Sequence, residues 1–530
     1  MKFSNSMIAT AIGSVLALGG ASQALALDAS TYNEATQITL TIGGATATRP
    51  GLLNLFKLNA ANNGICADGT LDIYHSADKF LMLCTGRSTG SPALPPALQG
   101  VRIAVQKSDT GGSGNGVAAL VRPSLGAALP DFMNIPTGGG FLVTAACAAG
   151  VTTPATGSFA SWTDHTCSDA GNVVDKVPEA GISDLEPAIF KTAFSPPLSN
   201  AELAAIPAGS ISAVIFGVPV TLNVRNNMQR IQFPVSSVCN PANAAYAANA
   251  ETEPCMPSLT KGQLAALFTQ NYQGWDSLVG PNGDSVASPA AGSPLGSSGQ
   301  VYICRRVGTS GTQAVFETQL LGQRCTLGVP SFATTAGDLL APPQHVFENS
   351  GSGDVVNCMK ARNTANQGAI GVLSMEFAPT IGGANESGYR FLKINGVAPC
   401  LLNIVESKYD FLGESTMQWV QTSIAGVSPL AGTKVTLATA VRDRIGAPAV
   451  VNDLNTSAAF QHPFCAGLGT GALMGNALAN ADTAPVAPFT VGGGGAGDVV
   501  AHPILTKTRG INGANSCGAL IDILPTQQVN

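Results

Sequence analysis

The sequence predicts an α/β fold built on parallel sheets, and three observations point to it. Three times the chain runs from an apolar strand, through a loop of glycines and hydroxyls, into a helical pattern: residues 37–42 into 43–50, residues 101–105 into 108–116, and residues 301–303 into 305–313. Glycine (61) and proline (33) are plentiful while only 11% of residues are charged and 6% aromatic, which suits a loop-rich α/β or β protein better than a helical bundle. A long β-rich run over residues 211–224, broken only by Gly217-Val218-Pro219, has the length to cross between two lobes. Strands alternating with helices imply parallel sheets, whose ligands sit at the carboxyl ends of the strands.

Taken in order, residues 1–26 read as a secretory signal: Lys2, an apolar centre over residues 7–18, and Ala24-Leu25-Ala26 at cleavage spacing. The apolar run is short for a membrane span and is broken by Gly13 and Ser14, so no stable membrane insertion is expected. No cysteine lies near the cleavage point, so a lipid anchor is not expected either. A periplasmic or secreted protein follows. The length of 530 residues allows about two to four domains. A formal net charge of -6 gives no general surface for nucleic acid or anionic membranes, so any bound anion must be caught by a local site.

The twelve cysteines all follow the signal, an even count that favours disulfides in an exported chain. Neighbour-to-neighbour pairing is the simplest expectation: Cys66 with Cys84, Cys147 with Cys167, Cys239 with Cys255, Cys304 with Cys325, Cys358 with Cys400, and Cys465 with Cys517. Spacing alone does not fix connectivity. There is no CxxC or HxxxH spacing, so neither a metal nor a cofactor is expected.

The segment Arg305-Arg306-Val307-Gly308-Thr309-Ser310-Gly311-Thr312-Gln313 carries the most chemistry. A helix start with free amides, several hydroxyls and a neighbouring arginine suits a tetrahedral oxyanion. An ordinary capped helix after a strand accounts for the same residues. Residues 122–178 lack a helical period and read as an insertion, a disulfide-stapled flap. Residues 180–187 form a short apolar step ending in Ser183-Asp184. Residues 258–268 read as a helix with Trp275 just beyond, residues 366–373 as a buried strand, and residues 389–397 as an edge strand with a turn. From about Pro429 the chain changes character, with a Gly-rich stretch over residues 480–497 and no catalytic spacing.

In this order the segments resemble the phosphate-binding periplasmic proteins of ABC transporters, with the type 2 periplasmic-binding-protein fold. The family's Gly-Ala-Thr-Phe-Pro is similar to Ala47-Thr48-Arg49-Pro50, its Gly-Ser-Gly-Gly to Gly112-Ser113-Gly114-Asn115, and its Ala-Ser-Asp-Ala-Pro to residues 182–187. Its crossing strand resembles residues 216–223, its helix with a following Trp resembles Leu267-Phe268 and Trp275, its Arg-Ser-Asp-Gly-Ser-Gly-Thr resembles residues 306–312, and its Gly-Ala-Ile-Gly resembles Gly368-Ala369-Ile370-Gly371. The resemblance implies a two-lobed fold with a hinge cleft. Its expected divisions are lobe one over residues 27–215 and 346–428, lobe two over residues 216–345, and a C-terminal extension of unknown role over residues 429–530.

Carried over by position, it implies that Thr48, Ser113, Asp184, Arg306, Ser310, Gly311 and Thr312 contact the anion. Arg306 offers a fork matched to two oxygens, and an ionised Asp184 accepts a hydrogen bond without donating one, favouring protonated phosphate over sulfate. Two departures stand out. Arg49 replaces an aromatic residue, and Val307-Gly308 removes a carboxylate that would orient Arg306. The expected role is a solute-binding protein for inorganic phosphate or a related oxyanion, with an ABC-transporter permease as the partner in uptake. A secreted scaffold or adhesion protein reusing the fold is the alternative. An enzyme is not expected: a phosphatase with Ser310 as nucleophile would need a Ser/His/Asp pattern that the five histidines do not supply.

Overall fold

The computed structural model describes residues 37–90, 93–123, 129–134, 147–169, 172–325 except 270, 271, 273, 291, 293, 297 and 298, 345–447 except 407, and short stretches between 450 and 522. The expected signal over residues 1–26 and the Gly-rich run of residues 480–497 lie outside them. Strand β1 (Gln37–Gly44) leads into helix α1 (Arg49–Lys57), and β2 (Arg102–Ser108) into the single turn α2 (Gly112–Asn115). Strand β3 (Ala180–Ser183) ends at Asp184; β4 (Ala208–Gly217), β5 (Pro219–Thr221) and α3 (Leu222–Gln232) follow. Then β6 (Tyr302–Arg306) leads into α4 (Gly311–Gln319), and β7 (Val346–Asn349) into α5 (Ser352–Thr364). Strands β8 (Ala369–Gly371), β9 (Leu373–Ser374), β10 (Tyr389–Phe391) and β11 (Leu412–Gln418) and helix α6 (Thr433–Ile445) complete the frame.

The local reasons are in the sequence. Alternate residues of β1 turn inward, and α1 has Pro at its start and buries Leu52, Leu55 and Phe56 at helical spacing. The run expected to be strand through Val224 turns helical at Leu222. Val224, Met228 and Ile231, four and three residues apart, bury one face of α3 and override the β-rich composition before them.

The elements form an α/β protein with two main sheets. In the larger, β1 runs parallel to β2 and β3, while β11 pairs antiparallel with both β3 and β4. The smaller has the order β7-β6-β8-β5-β10, with β6 parallel to β7 and β8. The carboxyl ends of β1, β2 and β3 therefore open on one side of the first sheet, and that of β6 opens from the second. Two antiparallel segments pass between the sheets side by side. β4 continues into β5 and β8 into β9, with Phe216 opposite Ser374, Gly217 opposite Leu373, and Val220 opposite Ile370. One core packs Leu40, Leu55 and Ile103 with Leu437 and Val441 of α6, and another joins Val220, Ile303, Phe316, Met359 and Ile370. Among the described residues, no helix is long and apolar enough to cross a membrane.

Several expectations are corrected here. Strands β7, β8 and β10 lie in the second sheet, and the chain rejoins the first at β9, which pairs with β4, and then at β11. Helix α6 packs on β1, β4 and α1, so the stretch of residues 433–445 contributes to the first core. The residue 122–178 insertion is stapled by Cys147–Cys167, and its strand Trp162–Thr166 pairs in parallel with Leu71–His75 and extends the sheet edge. Three expected disulfides form: Cys66–Cys84, Cys147–Cys167 and Cys239–Cys255. The other six cysteines pair differently, as Cys304–Cys358, Cys325–Cys517 and Cys400–Cys465. Cys304 lies in β6 and Cys358 in α5, which packs against that strand, so the fold brings them together across a longer loop than Cys325 would close.

Candidate functional site

The site forms where the β1, β2 and β3 ends meet the start of α4. Gly111 and Gly112 adopt φ of 74° and 62°, left-handed values that glycine takes without strain, and this bend turns Ser113 inward. The buried Ser113 Oγ donates to Asp184 Oδ2 at 3.2 Å and accepts from the Asp184 amide at 3.1 Å. Burial raises the Asp184 pKa to about 6, against the Ser113 hydrogen bond and the positive charges of Arg306 and Lys107. Its second oxygen, Oδ1, is buried without a hydrogen-bond partner.

From the other sheet, the buried Arg306 donates through Nη1 to Ser352 Oγ and through Nη2 to the Ser350 carbonyl, both at 2.7 Å. Its Nε is buried and unpartnered. Burial lowers the guanidinium pKa, while Asp184 heads the charges that oppose this. Asp354 accepts from Ser350 Oγ at 2.8 Å and from the Gly351 amide at 2.9 Å, and so fixes the turn whose residues hold Arg306.

Ser310 stands at the N-cap of α4 without a side-chain cap bond, so the first amides of this helix lack intrahelical partners. Gly311 is pressed against the opposite lobe: a β-carbon there would overlap Ser113 Oγ and Asp184 Oδ2. Beside it, the Gly114 amide donates to the Thr309 carbonyl at 2.8 Å, a backbone bond between the two sheets' loops. The structure thus brings Ser113, Asp184 and Gly311 into contact, with Arg306 and Ser310 flanking Gly112. Thr312 is buried in the first turn of α4. Thr48 is buried at the start of α1, its hydroxyl 3.5 Å from the Ala45 carbonyl.

Arg49 is neither a free cation nor a solvent group. It pairs with Asp109 at 2.7 Å and lies over the Phe80 ring at 4.9 Å. Asp109 also takes Lys107 Nζ at 2.5 Å, and that fully buried ammonium donates to the Gly44 and Ser108 carbonyls as well, which ties the ends of β1 and β2 together. Asp109 stands within the glycine loop of residues 108–116 and Lys107 just before it, so their place in the sequence offered a signal. Glu376 had no such signal. It follows β9, its two oxygens are out of solvent, and burial raises its pKa to about 8.

No protein-family model and no curated protein matches the chain. Among solved structures, it is similar to an ABC-type phosphate transport receptor from Vibrio cholerae, at 12% identity and a TM-score of 0.35 over 78% of this chain and 97% of that one. A high-affinity periplasmic phosphate-binding protein bound with phosphate gives 13%, 0.36, 78% and 88% for the same quantities, and PstS from Borrelia burgdorferi 13%, 0.26, 55% and 85%. These are distant likenesses, and the reading of the site rests on its own geometry.

Proposed function

We propose that this protein is an extracytoplasmic solute-binding protein that closes its two lobes on a protonated tetrahedral oxyanion, inorganic phosphate first among them, and hands it to an ABC-transporter permease. One observation carries the reading: Asp184 Oδ1 and Arg306 Nε are buried and unpartnered on opposite sides of the contact between α2 and α4. A buried acceptor and a buried donor left open in this way are costly unless a ligand completes them. A monoprotonated oxyanion does so, accepting from the guanidinium and the α4 amides and donating its hydroxyl to Asp184. Release follows from separation of the lobes about the β4–β5 and β8–β9 crossings.

Binding accounts for these groups better than hydrolysis. Among the described histidines, His75 stacks on Phe80 and His165 on Tyr74, His345 packs tilted against Tyr302, and His462 bonds the Met375 carbonyl, so each is engaged away from Ser113 and Ser310. Calorimetric titration with phosphate tests the reading. The wild type binds one anion per chain, and Arg306→Ala, which removes a charge-assisted contact, binds at least about tenfold more weakly. Heat-silent titration of the wild type, with no shift in melting temperature, would sink it.

A further inference from the structure

Among the described residues, Glu376 is an acid near the site that takes no part in the binding proposed above. It lies just beyond β9, at the crossing between the sheets. Both carboxyl oxygens are shielded from water, yet neither makes a hydrogen bond. The Ser374 hydroxyl is close enough to favour the ionised form slightly, but its oxygen also lacks a bond of normal geometry. The charged groups that act on Glu376 are those of the cleft: Arg49 from α1, Asp109 after β2, Asp184 after β3, and Arg306 at the end of β6.

The charge arrangement defines what this acid can do. Asp109 is held between Arg49 and Lys107, and Asp184 is opposed by Arg306. With Asp109 and Asp184 ionised against three cations, the cleft carries one excess positive charge while Glu376 is protonated and none once it ionises. Asp354, the other acid acting on Arg306, is exposed, and solvent screens it. An ionised Glu376 would place a second bare acceptor beside an incoming anion. A protonated one supplies a donor and leaves the positive charge uncancelled.

We propose that Glu376 donates a hydrogen bond to the bound oxyanion, as the protonated counterpart of an ionised Asp184, so that the protein takes up its anion together with a proton above neutral pH. This rests on the oxyanion-binding reading and specifies its ligand chemistry. One acid accepts from a ligand hydroxyl, the other donates to a ligand oxygen, and the species that satisfies both is a tetrahedral oxyanion carrying at least one hydroxyl. The separation of the two acids supports this division, because burial raises Asp184 only to about 6 but Glu376 to about 8. Between those values the first is ionised and the second is not.

The test compares full-length wild type with Glu376→Gln, which keeps the shape and a donor but cannot ionise. Phosphate Kd is measured by calorimetry at pH 7 and pH 9. The ligand's own ionisation and that of Lys107 are common to both proteins and cancel in the ratio of their Kd values. As the protonated fraction of Glu376 falls, the wild type should weaken about tenfold more than the variant between these pH values. A ratio that does not change with pH, or loss of binding by the variant at both, overturns this proposal while leaving the anion reading standing. Absence of phosphate binding by both proteins overturns the two together. Ligand-free melting gives a second readout. A carboxyl whose folded pKa is raised loses stability as pH climbs from its unfolded value to its folded one. The variant's advantage in melting temperature should therefore grow from about pH 5 to about pH 8 and level off above. A constant difference refutes the buried, protonated acid.

Discussion

Asp184→Asn should make the ligand-free protein more stable and a poorer binder, and both effects can be sized from the structure. The carboxyl is buried, one oxygen accepts from Ser113 and the other has no partner, and its pKa is raised from 3.8 to about 6. At roughly 1.4 kcal/mol for each tenfold change in acidity, holding it ionised at pH 7 costs about 3 kcal/mol. Asparagine keeps an oxygen to accept from Ser113 and carries no charge to desolvate. The sign follows from linkage: the wild type loses this stability as pH rises through about 4 to about 6 and stays at the lower level above. The variant should thus melt on the order of 5 °C higher than wild type at pH 7 and close to it at pH 4. Phosphate should bind the variant ten- to hundredfold more weakly, the approximate worth of a charge-assisted hydrogen bond. Thermal unfolding followed by circular dichroism across pH 4–8, beside phosphate titrations, reads both. An advantage equally large at pH 4, or none at pH 7, would refute the assignment of a strained, buried carboxylate at this position.

Further predictions follow from the same contacts. Gly311→Ala adds a methyl group that meets Ser113 and Asp184 only when the lobes close, so the variant should fold normally but bind phosphate about 5- to 150-fold more weakly, the range for overpacking a tight contact; unchanged affinity would show that the closed geometry is not the binding one. The C-terminal segment ties the two lobes together, since Cys517 is bonded to Cys325 beyond α4, and Ser516 donates to both oxygens of Glu186, just past Asp184, at 2.9 and 2.6 Å. Glu186→Gln weakens this tie by roughly 1 kcal/mol, so stopped-flow release of phosphate should quicken about fivefold, and an unchanged rate would remove the tie from the opening step. Arg306→Lys keeps the charge but loses the fork that holds Ser352 and Ser350; its phosphate affinity should fall nearly as far as that of Arg306→Ala, and wild-type affinity would contradict a bidentate role.

Much of this was legible because strand-to-loop transitions are local. The step from alternating or apolar residues to glycines and hydroxyls at Gly43, Ser108 and Gly308 marks strand ends, and strand ends are where parallel sheets place ligands. Ser113, Asp184 and Gly311 follow such strand ends, but the family resemblance, not the local pattern, is what names them together. What supports them was not. Arg306 is aimed by Ser350 and Ser352, more than forty residues away, and Glu376, whose charge acts on Asp184 and Arg306, follows β9 at a crossing that no local pattern announces. The disulfides divide along the same line. Pairing neighbours worked for Cys66, Cys147 and Cys239, whose partners lie 18, 20 and 16 residues on, and failed where the fold joins cysteines 54 to 192 residues apart. The start of α3 was hidden because Val220, Leu222 and Val224 alternate like a strand even though burial at Val224, Met228 and Ile231 has the helical period.

The central claim is that a buried acceptor at Asp184 and a buried donor at Arg306 select an oxyanion that carries its own proton. Calorimetric titration of the wild-type protein at pH 7 with phosphate and, separately, with sulfate tests it most directly. The account predicts one-site binding of phosphate, with sulfate weaker by on the order of a hundredfold because it has no hydroxyl to give Asp184. Equal affinity for the two anions, or binding of sulfate alone, would contradict it.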